Sequence, residues 1–116
     1  MRFEDHCART KKLIGLEMPE VHKYIDKYYP YFRSTAHWGI LHHAKGVDHL
    51  VDLFGKNYGY EGNILVRIAA ENHILDDIGY IPKDLEELEN ELFFYSIEEQ
   101  ESFTKFFEEE YNGKSE

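Results

Sequence analysis

Residues 36–55 read AHWGILHHAKGVDHLVDLFG. Ile40, Ala44, Val47, Val51 and Phe54 recur there at steps of three and four, the period of an amphipathic α-helix. The same stretch holds four of the seven histidines: His37, His42, His43 and His49. His43 falls near the middle of the apolar stripe and His37 at its edge, whereas His42 and His49 stand seven apart on the opposite side, in solvent or at an interface. The pattern predicts one continuous helix from about residue 30 to residue 54, with imidazole on its buried side.

A second helical pattern, ILVRIAAENHILDDIG at residues 64–79, answers it. Its apolar stripe runs Ile64, Ile68, Leu75 and Ile78, and the position that completes the spacing is Glu71. A carboxylate buried without a partner costs several kcal/mol, so Glu71 is expected to be neutral, paired with a base such as His43, or bound to a cation. The competing reading is a glutamate that reaches solvent or pairs with Arg67. Val66, Ala70, His73 and Asp77 form a second row on this helix. His73 and Asp77 repeat the spacing of His22 and Asp26, so the chain contains two His-x3-Asp pairs, each on one helix face.

Outward from these stretches the chain reads as further helices. Residues 3–14 place Phe3, Cys7 and Ile14 on one side, with Gly15 as a stop. His6 and Cys7 point about 100° apart on such a helix, which favours ordinary packing over a shared ion. Pro19 suits the first turn of a helix over about residues 20–28, and Pro30 interrupts it. The glycines at 55, 59 and 62 mark a turn; without a following Gly-Lys-Ser/Thr they make no phosphate loop. Ser96 and Glu99 read as a capping box that opens a last helix with Phe103, Phe106, Phe107 and Tyr111, and residues 112–116 read as a frayed end.

Composition bounds the rest. The 116 residues suffice for one domain, and 42% hydrophobic with 16% aromatic residues describes an ordered core. The expected fold is all-α: a compact single-domain bundle of about five to six helices. Residues 1–82 form its His/carboxylate core, and residues 83–116 form acidic helices packed on the same domain. The lone Cys7 fits a reducing, cytoplasmic setting, and no apolar run approaches a membrane span. The net charge of −10 is unevenly placed, with eleven acids against ten bases up to residue 82 and twelve against three beyond it. Such a segment repels nucleic acid and anionic lipid and favours a basic protein partner.

Three segments, VHKYIDK at 21–27, AHWGILHHAKG at 36–46 and AENHILDDIGYIP at 70–82, resemble a family of small uncharacterised bacterial and phage proteins without assigned activity. The resemblance spans roughly residues 3–83. It marks His6, His22, Asp26, His37, His42, His43, Glu71, His73, Asp77, Gly79 and Pro82, and it implies a polar constellation without naming its chemistry.

Two functions follow from these residues. In the first, some of His37, His43, Glu71 and His73 hold Zn²⁺, Mn²⁺ or Fe²⁺, while His6, His22, Asp26, His42 and Asp77 support them or form a polar core. Such an ion could activate water to hydrolyse a phosphoester or nucleotide. The chain lacks the spacings of known helical metal enzymes, and Glu71 and His73, two apart, diverge around their helix. In the second, the protein is a non-catalytic interaction or inhibitor protein, with Glu86, Glu87, Glu98, Glu99, Glu108 and Glu109 engaging a basic host partner. A pocket for a small anionic signal has the least support.

Overall fold

The computed structural model describes residues 1–29, 31–32, 34–88, 91–106 and 108–109. The helix α1 spans Phe3–Ile14 and ends at Gly15, whose φ of 82° is the left-handed conformation glycine adopts without strain. α2 spans Pro19–Ile25, with Pro19 in its first turn. A 3-10 turn at Thr35–His37 leads into the single-turn α3, Trp38–Leu41, and then α4, Ala44–Phe54. A second 3-10 turn, Gly55–Tyr58, connects to α5, Gly62–Ile78, which Gly79 closes in the left-handed conformation. The single-turn α6, Leu85–Leu88, and α7, Ile97–Phe106, follow.

The protein is an all-α single domain with no strand among the described residues. Its radius of gyration of 14.2 Å is near the roughly 13 Å of a folded chain this long. No helix among the described residues is long and apolar enough to cross a membrane.

The seventeen residues of α5 form the central element, against which α1, α2 and α4 pack. Its buried face is Val66, Ala69, Ala70, His73 and Ile74. The two alanines let the neighbouring backbones approach closely, and Val21, Ile25, Val47, Leu50 and Val51 fill the space around them. α1 is docked differently: of its three buried residues, His6, Cys7 and Thr10, two are polar. α7 docks by aromatic edges, with Phe103 and Phe106 each T-shaped against Phe32 at 5.5 and 5.6 Å between centroids. Its start is capped by Ser96 Oγ, which accepts from the Glu99 amide at 3.1 Å. The expected contributions of Phe107, Tyr111 and residues 112–116 lie outside the described residues. The helix expected from about residue 30 is absent among the described residues there: Tyr31, Phe32 and Ser34 are not helical, and helical turns begin only at Thr35.

The single long helix expected up to Phe54 is broken. His42 leaves helical geometry at ψ 53°, and His43 becomes the N-cap of α4, fully extended at φ −155° and ψ 172°. The His43 ring replaces the usual cap side chain: Nδ1 accepts from the Gly46 amide at 3.2 Å, and Nε2 donates to the Ile40 carbonyl at 3.0 Å. At Gly46 α4 presses on the Leu41 carbonyl so closely that a Cβ would collide with it. The break rotates His42 out of the phase of a continuous helix and carries its ring into the interior.

Candidate metal centre

Three helices each bring a pair of polar side chains four residues apart, a spacing that stacks both on one helix face. α1 supplies His6 and Thr10, the end of α2 supplies His22 and Asp26, and α5 supplies His73 and Asp77. The imidazoles of His6, His22 and His73 are each about 1% exposed. His6 and His73 stack with centroids 3.6 Å apart and planes 10° from parallel, and His22 lies 5.1 Å from His73.

A chain of hydrogen bonds fixes the protons. The Thr10 hydroxyl donates to the His6 carbonyl at 2.9 Å, so its oxygen is free to accept from His22 Nε2 at 2.7 Å. The neutral His22 ring then presents Nδ1 as an acceptor, and His73 Nδ1 donates to it at 2.8 Å. His73 Nε2 is left facing the two aspartates, 3.2 Å from Asp26 Oδ2 and 3.2 Å from Asp77 Oδ2.

Asp77 is the hub. Its Oδ1 lies 3.1 Å from His6 Nε2 and 3.0 Å from the amino group of Met1, and its Oδ2 lies 3.2 Å from His42 Nε2. Asp26 Oδ1 faces His42 Nε2 at 3.3 Å and His37 Nε2 at 3.7 Å. A cavity of about 620 Å³ opens onto this group, reaching Asp26, Asp77, His22 and His37.

Burial alone would raise both aspartates, but the close imidazoles of His42 and His73 outweigh it at Asp26, and those of His42, His6 and His73 at Asp77. Both carboxyls are held well below the usual range and stay ionised. Burial opposes charge on His73, yet Asp26 and Asp77 raise its pKa above the ordinary value. His22, with no carboxylate in contact, is pushed down to about 3 by burial and by the neighbouring His73 and His6. Burial also lowers His37 and His43.

These shifts set the pH response. Groups with depressed pKa contribute fully above their unfolded value near 6.5 and lose that contribution as the pH falls, about 1.4 kcal/mol per unit for His22 until its folded pKa of about 3. His73 runs the other way, with extra stability below 6.5 that disappears as the pH rises through its raised pKa. Three lowered histidines outnumber one raised. Chelator-treated protein is therefore expected to melt progressively lower from pH 7 to pH 5, and an unchanged melting temperature over that range would contradict the neutral His22.

The residues fit a divalent cation. One donor atom from each of His6, Asp26, His73 and Asp77 lies within 4.8 Å of the other three, and a second grouping joins His6, His22 and His73. Donors around one ion with bonds of about 2.1 Å stand roughly 3 to 4.2 Å apart, so the first set needs only a slight contraction. The two carboxylates would balance the charge of a divalent ion. His73 Nε2 and Asp26 Oδ1 are buried with no partner in hydrogen-bonding geometry, although each has oppositely charged or polar neighbours within 3.3 Å. Buried polar atoms so close yet aimed past one another are what a shared central ion would satisfy.

Several sequence expectations are corrected here. His43 is buried but spends both ring nitrogens on the α4 cap, so it has no donor left for an ion. Glu71 is half-buried rather than interior and makes no ion pair among the described residues. The stripe that singled it out is the outer face of α5: Ile64 is 62% and Leu75 41% exposed. His37 lies at the edge of the group, at the cavity wall. His42, put on the outer side by helical phase but in the polar group by the family resemblance, is fully buried between Asp26 and Asp77, while His49 is exposed. Of the four expected ligands only His73 is central, and His6, Asp26 and Asp77, expected behind them, surround it.

Among the C-terminal acids, Glu86, Glu98, Glu108 and Glu109 are exposed. Glu87 accepts from the Lys83 amide at 2.7 Å, and Glu99, half-buried, accepts from the Ser34 hydroxyl. Those two carboxylates are engaged in holding the C-terminal helices in place.

No curated protein and no solved structure matches the chain. A family model described as a domain of unknown function, DUF6915, matches residues 1–92, a span that contains His6, His22, Asp26, His42, His73 and Asp77 and stops before α7. On that match, which covers well over half of its length, the chain belongs to the DUF6915 family.

Proposed function

We propose that this protein binds one divalent transition-metal ion through His6, Asp26, His73 and Asp77 and uses it for a hydrolytic reaction. The observation that carries the reading is His73 Nε2, sealed from solvent between two ionised carboxylates and aligned with neither. Imidazole with carboxylate suits Zn²⁺, Mn²⁺ or Fe²⁺. Bound there, such an ion supplies Lewis acidity and a water of lowered pKa.

The chain's own groups have definite tasks in this scheme. Thr10 and His22 keep a proton on His73 Nδ1, so Nε2 is the coordinating atom. His42 Nε2 lies within reach of both aspartates and holds their oxygens in place. His37 is the candidate proton acceptor at the cavity. Its Nδ1 donates to the Ser34 carbonyl at 2.8 Å, which leaves Nε2 bare, and burial keeps the ring neutral.

Protein purified without a histidine tag is expected to carry about one equivalent of metal by elemental mass spectrometry. His73→Ala and Asp77→Ala should lose it, whereas His43→Ala and Glu71→Ala should retain it. Free metal at a hundred times its dissociation constant should stabilise the fold by about 2.7 kcal/mol, and chelator should remove that increment. Absence of metal in the parent, with melting indifferent to chelator, sinks the reading.

The charge distribution favours a second, compatible reading, in which exposed Glu86, Glu98, Glu108 and Glu109 contact a basic protein. Capture of such a partner that survives replacement of these four by glutamine would count against it.

A further inference from the structure

The cavity over the centre has a composition unlike the rest of this acidic molecule. Its wall carries three cationic side chains, Arg2, Lys23 and Lys27, and three aromatic ones, Phe3, Tyr29 and Trp38; its acids are Asp26 and Asp77, at the centre itself. The cations are exposed. Arg2 has only a surface contact with Glu4 at 3.6 Å, and Lys23 rests 5.4 Å from the Phe3 ring centroid. Contacts of that kind are weak and give way to a dianion. The volume of about 620 Å³ is that of a small-ligand site.

Two ionised carboxylates at the floor would repel an anion, so what favours a negatively charged ligand is the cluster of exposed basic residues at the wall, of which Arg2 has only the solvent-screened contact with Glu4. Aromatic side chains beside them offer a flat apolar surface for a ring. We infer that the cavity receives a phosphate monoester joined to an aromatic ring system, the class of the nucleoside monophosphates, with Arg2 and Lys23 on the phosphate and Trp38 on the ring. This rests on the proposed metal centre for its chemistry but not for binding.

Trp38 is the sole tryptophan, so the cavity has a built-in reporter. Adenosine monophosphate, added to metal-loaded and to chelator-treated protein, is expected to quench its fluorescence saturably. The affinity should exceed that for adenosine or for inorganic phosphate by about tenfold or more, because each offers only half of the recognition. Arg2→Glu with Lys23→Glu, both at exposed positions, should weaken the nucleotide about tenfold and leave the melting temperature unchanged.

Equal affinity for adenosine overturns the role of the cations, equal affinity for phosphate overturns the role of the aromatics, and no saturable quenching in either preparation overturns the inference. Metal content is read separately on the same samples. Metal without nucleotide binding therefore removes this inference alone. Nucleotide binding to a protein that never holds metal supports the ligand class and removes the metal centre.

Discussion

Asp77→Asn is expected to cost about 3–5 kcal/mol of stability, a drop in melting temperature of roughly 10–20 °C, and to abolish any stabilisation by added metal. The side chain of Asp77 is 6% exposed and meets His6, His42 and His73 at 3.1, 3.2 and 3.2 Å. The amide keeps the shape and removes the charge, which leaves the His73 imidazolium with Asp26 alone. Asp76→Asn makes the comparison clean. Asp76 sits one residue away, largely covered, and pairs at 3.2 Å with Arg9, whose exposure leaves the contact screened and worth about 1 kcal/mol. Urea unfolding of both variants, with and without metal, decides the matter: similar midpoints for the two would mean that the buried carboxylate is not the hub.

Gly46→Ala is expected to rival it, at about 3 kcal/mol or more, through packing instead of charge. Its Cβ would strike the Leu41 carbonyl, backbone against backbone, so no side-chain rotation relieves the clash. The Gly46 amide also donates to His43 Nδ1, so displacing α4 breaks the cap and moves the His42–His43 turn. Lys45→Ala, on the exposed neighbour, should change stability by no more than about 0.5 kcal/mol. A cooperative Gly46→Ala protein as stable as the parent would show that the α3–α4 corner yields easily.

The sequence carried the helices and half of the site. Gly15, Pro19 and Gly79 mark helix ends by backbone chemistry that packing did not override. The two His-x3-Asp pairs were legible because four-residue spacing fixes a shared face whatever the helix packs against, and both converge. What the sequence hid is which face of α5 points inward. Ala69, Ala70 and His73 have little apolar signal, whereas Ile64 and Leu75 have much, so hydrophobic periodicity selected the exposed side and with it Glu71. His43 misled for another reason: histidine is seldom a helix cap, and nothing in AHWGILHHAKG announces a break between Leu41 and Ala44. His6 was undervalued because its partner Asp77 lies 71 residues away.

The docking of α1 has a consequence for how the molecule comes apart. A helix moored by His6 and Thr10, with Cys7 as its only fully buried apolar side chain and Ile14 half-buried against the core, depends largely on directional bonds that fail together once one partner leaves, whereas α4 and α5 share a broad oily seam. Amide protons of α1 should therefore exchange with deuterium well before those of α5, and loading with metal should slow α1 most. The segment easiest to peel away is then the one that brings His6, so an ion held at the proposed centre would exchange through local unfolding of α1.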